Sequence, residues 1–171
     1  MTLSRRVNGR ADVNNKIINI LKNDEHLLRL LGYNYLSPDG EYQDVLEPHL
    51  DNIVGSPQHH IISSEHIVNT VKVDDIKSIK TCMVLVHLGK RRPVFSNHLL
   101  AKQEVLIDVL VHNEFQENDF RMDDICDRLD YLLVHERITM GKFEISTPIP
   151  VEAPKEYYRF QMKYVYWTSK K

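Results

Sequence analysis

The chain has 171 residues, 42% hydrophobic and 27% charged, which fits one globular domain with its own core and excludes wholesale disorder. A formal net charge of −2 excludes a polycation built for nucleic acid. No apolar run approaches the ~20 residues that span a bilayer, and the basic stretch 1–10 lacks the apolar centre of a secretory signal, so no membrane partner is expected.

Residues 1–12 read as a basic flexible arm, because Arg5, Arg6 and Arg10 have almost no apolar company. Residues 13–171 read as a single α+β domain. From Asn14 a helical pattern runs through Ile17, Leu21, Leu28 and Leu31, with Asn14 or Asn15 able to cap it and Gly32 to stop it. Asn23 and Asp24 can break the pattern into two short helices. Residues 33–78 are expected to be irregular and extended, wrapping over the domain or a neighbour. Pro38, Asp39 and Gly40 form a turn, and Pro48, Gly55 and Pro57 prevent any long regular element.

Residues 80–88 alternate as a strand, with Cys82, Val84, Val86 and Leu88 on one side. Gly89, Lys90, Arg91, Arg92 and Pro93 open what reads as a long polar loop, 89–102, projecting from the sheet. Residues 103–112 are the clearest strand: Val105, Ile107, Val109 and Val111 make one face, and Glu104, Leu106, Asp108, Leu110 and His112 the other. Asn118 or Asp119 is expected to cap a helix reaching about Met140. Its stripe is Met122, Ile125, Cys126, Leu129, Leu132 and Leu133, and Gly141 ends it. A short strand at 143–146 and a final one at 157–168 follow, the latter with Tyr158, Phe160, Met162, Tyr164 and Tyr166 on one face. This order predicts an antiparallel sheet with a long-loop hairpin and helices packed on one face. Cys82 and Cys126 fall within predicted elements and read as small core residues, which suits a reducing compartment.

Charge is unevenly spread. Residues 1–103 carry 13 Lys/Arg against 11 Asp/Glu, residues 104–136 carry 2 against 10, and residues 137–171 carry 7 against 3. A monomer tolerates this, and a self-associating ring or stack would use it.

Candidate chemistry is sparse. His59, His60, Glu65 and His66 are metal-ligand types, but no cysteine pair or His-Glu-x-x-His helix accompanies them. Glu104, Asp108 and His112 share a strand face, yet four residues along a strand cover roughly 13 Å, too far to grip one ion or relay one proton. That face is better read as half-wet, looking onto a cavity, lumen or partner. Asp119, Asp123, Asp127 and Asp130 fall along one helix flank, which is solvated or partner-facing, and Asp124 and Arg128 form an i,i+4 pair. Lys90, Arg91 and Arg92 could touch phosphate or an acidic protein surface, with no local acidic partner to neutralise them. We take Lys90, Arg91, Arg92, Asp123 and Asp127 as candidate partner-contact residues, the loop meeting another subunit or ring at the acidic flank. No Gly-rich phosphate loop, nucleophile elbow or Cys/His nucleophile arrangement is present, so no enzyme activity is expected.

Several segments carry a family likeness: EVLIDVLV at 104–111, RMDDICDRLDYLL at 121–133, Gly141, YRFQMKYV at 158–165 and the opening IINILKNDEHLLRLL at 17–31. In this order of parts, and in the Asp-x-x-Asp-Arg-Leu pattern at 124–129, the chain resembles the tail-terminator, or tail-completion, proteins of long-tailed bacteriophages. The resemblance implies a structural virion subunit at the neck or top of the tail, assembled in the host cytoplasm. It would form a homo-oligomeric ring, a hexamer, capping the tail tube protein and docking the head connector or stopper protein. Genomic DNA would pass through the channel without sequence-specific binding, and no cofactor, metal or catalytic residue is implied. Another head-to-tail connector or neck protein, or a non-viral protein-binding module, are the alternatives.

Overall fold

The computed structural model of the chain describes residues 10–70, 80–135 and 143–169. The elements run α1 (Arg10–Lys22), α2 (Glu25–Gly32), α3 (His59–His66), β1 (Ile67–Val68), β2 (Cys82–Val94), β3 (Asn97–His112), α4 (Asn113–Asp119), α5 (Arg121–His135), β4 (Glu144–Pro150) and β5 (Tyr157–Ser169). The five strands form one sheet in the order β1-β2-β3-β5-β4, antiparallel throughout except for the β1–β2 pair. The α+β class and the antiparallel sheet with helices against it are as the sequence predicts. No helix among the described residues is long and apolar enough to cross a membrane.

The opening pattern splits where expected. Asp24 adopts an extended backbone and its carboxylate accepts the Leu27 N–H at 2.8 Å, capping α2. Helix α1 starts earlier than Asn14: Arg10 to Asp12 form its first turn, where Asp12 suits the helix dipole, and Val13 joins Ile17 and Leu21 on the buried stripe. Asn14 is therefore inside the helix rather than a cap. Residues 1–9 of the expected arm lie outside the described residues.

The stretch after α2 is irregular but tied down. Gly40, with φ of 82°, closes the turn bridged by Leu36 and Tyr42. Arg29 then donates to the Glu47 and Leu50 carbonyls at 2.8 and 2.9 Å and to Asn52 at 2.7 Å. The Glu25 carboxylate accepts from Arg29 and from the N–H groups of Ile53 and Val54. One buried arginine and one carboxylate on α2 thus replace the backbone ladder that proline and glycine deny this segment. Helix α3 and the short β1 also fall within it. Residues 71–79 lie outside the described residues.

The expectation of a long loop at 89–102 is corrected. Strands β2 and β3 pair from Cys82↔Val111 outward to Val94↔Asn97, so the connection is only Phe95 and Ser96. Lys and Pro have low strand propensity, but pairing with 97–103, itself backed by β5 from Leu100↔Ser169 inward, overrides that local preference.

The helix-covered face holds the main core. Val84, Val86, Val105, Ile107, Val109, Val111, Met162, Tyr164 and Tyr166 meet Ile17, Leu21, Leu28 and the α5 stripe of Met122, Ile125, Leu129 and Leu133. Cys82 and Cys126 are buried and free, as expected of core residues, and burial pushes both thiols up to about 12. On the other face Leu85, Leu110 and Tyr157 form a second, small cluster with Val68, Met83 and Ala153.

Helix α5 does not begin at a cap on Asn118 or Asp119. Both close α4, Phe120 turns the chain with a left-handed φ of 50°, and α5 starts at Arg121. Met140 and Gly141, the expected end, lie outside the described residues. The strand expected at 143–146 is the longer β4. Because Leu129 is fully buried while Asp123 is exposed, Leu129→Ala should cost roughly 2–5 kcal/mol and Asp123→Asn far less. Urea denaturation checks this, and equal effects would refute the packing register of α5.

Candidate assembly surface

The distal β2–β3 hairpin is a basic arm. No Asp or Glu occurs from Met83 to Gln103, and Lys90, Arg91 and Arg92 are exposed on β2; Lys102, opposite Arg92 on β3, is engaged by Glu144 at 2.8 Å. Its tip carries Phe95, fully exposed, with Leu99 more than half exposed nearby. Beyond Leu100 towards the tip, β3 pairs with β2 alone among the described residues.

A bulge sets the arm's direction. The register moves from Leu88↔Val105 to Arg91↔Gln103, leaving Gly89 and Lys90 opposite Glu104. The fully buried Gln103 donates to the Gly89 carbonyl at 3.0 Å and to the Glu104 carbonyl at 2.9 Å. The Glu104 carboxylate accepts the Lys90 N–H at 3.1 Å. A β-carbon on Gly89 would stand 2.9 Å from Glu104 Cβ and 3.1 Å from Leu106 Cγ, so glycine is what lets the strands close here. Glu104 also lies 3.5 Å from Arg92 and 3.8 Å from Lys163. The expectation that the three cations have no local acidic partner is thus wrong at Arg92, which Glu104 faces, and Arg91 is not without a partner either.

The sheet face expected to be half-wet is organised as separate ion pairs. Asp108 is fully buried, accepting from Arg159 at 2.6 Å and Gln161 at 2.8 Å, with His87 Nδ1 at 3.9 Å. Burial holds His87 below the ordinary imidazole range, opposed by Asp108. His112 caps α4 by accepting the Glu114 N–H. Glu104, Asp108 and His112 therefore serve three local structures and converge on none.

The four acids of the α5 flank divide. Asp119 turns inward to Arg121 and accepts from Tyr42 at 3.1 Å, and Asp130 accepts from the buried Tyr164 hydroxyl at 2.7 Å. Asp123 and Asp127 remain exposed, Asp123 accepting weakly from Gln116 at 3.3 Å. Partial burial, with Asp119 and Asp127 adding to it, raises the Asp124 carboxyl above its ordinary value. Arg128 pairs with Asp24 at 2.6 Å rather than with Asp124, and stacks 4.8 Å from the Tyr131 ring. Both arginines of the acidic stretch are thereby turned to internal partners, leaving its outer surface negative.

Sequence reasoning missed Arg121, which is fully buried and donates to the Leu30 and Tyr33 carbonyls at 2.6 and 3.0 Å. A cation at the first position of a helix opposes the dipole, and that misfit was the available signal. The histidines at the two ends of α3 turn to separate partners: His59 bonds the Lys22 carbonyl of α1 and His66 the Cys82 carbonyl of β2, each at 2.7 Å. Among the described residues no group of three or more His, Cys, Asp or Glu could hold a metal ion.

A family model described as YomW matches residues 24–166, well over half of the chain. The chain belongs to the YomW family. That family is phage-derived, of the Bacillus phage SPbeta type. No curated protein matches the chain. The YomW match opens at Asp24, the cap of α2, and closes at Tyr166, so it takes in the arm, the bulge and the acidic α4–α5 corner while leaving out α1.

In this YomW chain the bulge is the arm's root, and its tolerance is narrow. Gly89→Ala should destabilise by about 1–3 kcal/mol through overpacking against Glu104. Lys90→Ala, which keeps the backbone N–H that Glu104 accepts, should be nearly neutral. Denaturation midpoints compare the two, and a neutral Gly89→Ala would refute the tight root.

Proposed function

We propose that this chain is a structural subunit of the phage virion, a tail terminator that caps the tail tube as a hexameric ring and joins it to the head connector or stopper. The genome passes through the ring's channel without being read. The observation that carries this reading is the basic arm ending in a fully exposed Phe95. Exposing a large aromatic on a projecting ribbon has no use inside one chain and suits a subunit that grips a neighbour. Two further features support it. The family is phage-derived, and the titratable groups that share a face are absorbed separately, Glu104 and Asp108 in ion pairs and His112 in a helix cap. Lys90, Arg91, Arg92, Asp123 and Asp127 would then act as contacts between subunits or rings.

The test is a phage deleted for this gene, its lysate viewed by negative-stain microscopy. Filled heads beside detached tails of uncontrolled length are expected, together with six-fold rings from the purified protein. Detached tails of normal length would move the chain to another joining position in the neck. Infectious, complete particles would overturn the reading.

A further inference from the structure

The face of the sheet away from the main core buries one carboxylate between two basic side chains. Asp108 stands on β3 between Leu85 of β2 and Gln161 of β5 and is fully buried. Its Oδ1 accepts from Gln161 at 2.8 Å, and its Oδ2 accepts from Arg159 Nη2 at 2.6 Å. His87, two residues beyond Leu85 on the same face of β2, sets its Nδ1 3.9 Å from that same Oδ2. That is too long for a hydrogen bond, and the buried Nδ1 has no other partner among the described residues. With His87 neutral, the carboxylate and the guanidinium balance. A proton on His87 adds a second cation at one oxygen, where the side chains of His87 and Arg159 are only 12% and 16% exposed. Among the described residues the charged groups facing His87 are Asp108 from β3 and Arg159 from β5. Strand β1 brings Ile67 and Val68, and Glu104, further along β3, lies beside Arg92 and Lys163. Burial holds the His87 imidazole below its ordinary range, with Asp108 opposing and Arg159 assisting.

Arg159 also reaches out of this group. Its Nη1 donates to the Glu152 carbonyl at 3.3 Å, and its own carbonyl accepts the Val151 N–H at 3.1 Å. One residue thus joins the buried carboxylate to the connection 151–156 between β4 and β5. Glu156 in that connection has a left-handed φ of 77°, which a glutamate rarely adopts, and its carbonyl accepts the Asn113 N–H at 2.9 Å. We propose that His87 is a proton-sensitive latch: in acid its imidazolium competes with Arg159 for Oδ2 of Asp108, and the β4–β5 connection is released from the sheet. The unfolded chain takes a proton on this histidine near the ordinary value of about 6.5. The folded chain takes it only at lower pH, so the stability that neutral His87 contributes is whole above the unfolded value and is lost as pH falls through the folded one. When Arg159 shifts, the long, exposed contact to Glu152 is the one that yields first. The latch belongs to the single chain and stands apart from the ring reading.

Hydrogen–deuterium exchange of the full chain at about pH 7.5 and about pH 5, corrected for the intrinsic rate at each, tests it against His87→Gln, which cannot take the proton. In the wild type the amides of 151–157 should lose about tenfold in protection on acidification, while those of β3 and α5 keep theirs. In the variant the same connection should change by less than about twofold, because the other carboxylates titrate alike in both proteins. Equal loss of protection in the two proteins overturns the latch. So does a loss spread evenly through β3 and α5, which is unfolding of the whole domain. Should His87→Gln not fold, a wild-type NMR titration decides: the His87 ring should titrate below about 6.5, with the amides of 151–157 shifting at the same midpoint. A midpoint at or above that value, or amides that do not follow the ring, overturns the proposal.

Discussion

A guanidinium group shut away from water sits where α2, α4 and α5 meet, and the placement of all three follows from how it is satisfied. Burying a lone charge is expensive, and the cost is offset when the charge is paired and its N–H groups find acceptors. Arg121 has the Asp119 carboxylate two residues before it, the Leu30 and Tyr33 carbonyls at the end of α2, and the Phe115 ring 5.2 Å away. The carbonyls at a helix C-terminus have no partners within the helix, so the arginine and the helix end answer each other's need. The left-handed turn at Phe120 makes this possible, since it brings Asp119 and Arg121 onto the same side of the corner.

Order spreads from α2 in both directions. Its cap, Asp24, accepts the Leu27 N–H and takes Arg128 from α5, so a single carboxylate starts one helix and anchors another. One turn on, Glu25 and Arg29 gather the backbone of residues 47–54, which has no strand or helix of its own to use. The same economy has a consequence at the surface. Spending Arg121 and Arg128 on internal bonds strips the α4–α5 corner of positive charge, so the acidity of the middle stretch becomes a property of one end of the molecule. In the proposed ring, the packing of the core and the polarity of the subunit are therefore set by the same two arginines.

Where local pattern and tertiary pairing agree, the sequence could be read. The strand at 103–112, the last strand, the stripe of α5 and the break at Asn23 and Asp24 rest on strong periodicity or on a capping side chain, and each stands close to where it was placed. Residues 89–102 could not be read that way. Lys90, Arg91, Arg92 and Pro93 signal a loop, and only a partner strand far along the chain makes them a strand. The α4–α5 corner was hidden for a different reason: an aromatic residue at positive φ is rare, and nothing local marks Phe120 for it. Among the site residues, exposure of Lys90, Arg91, Arg92, Asp123 and Asp127 was legible from charge. The division of the acids was not, because Asp119 and Asp130 turn inward to partners, Arg121 and Tyr164, whose burial depends on the whole fold.

The edges of the sheet narrow the ways in which copies can associate. An open edge invites a second sheet to continue it, and natural proteins blunt edges with proline, bulges and charge. Strand β4 has a register shift between Ser146 and Ile149 and carries Pro148 and Pro150, so its outer side offers a broken ladder. Among the described residues β1 pairs with β2 at Val84 and Leu85, and the distal length of β2 carries Lys90, Arg91, Arg92 and Pro93. Two such edges brought together by a two-fold axis would set three cations against three cations. Self-complementary continuation of the sheet is thus opposed on both sides, on one by missing donors and on the other by repulsion. A contact between unlike surfaces avoids both obstacles, and in the proposed ring such a contact would repeat until the rotation closes.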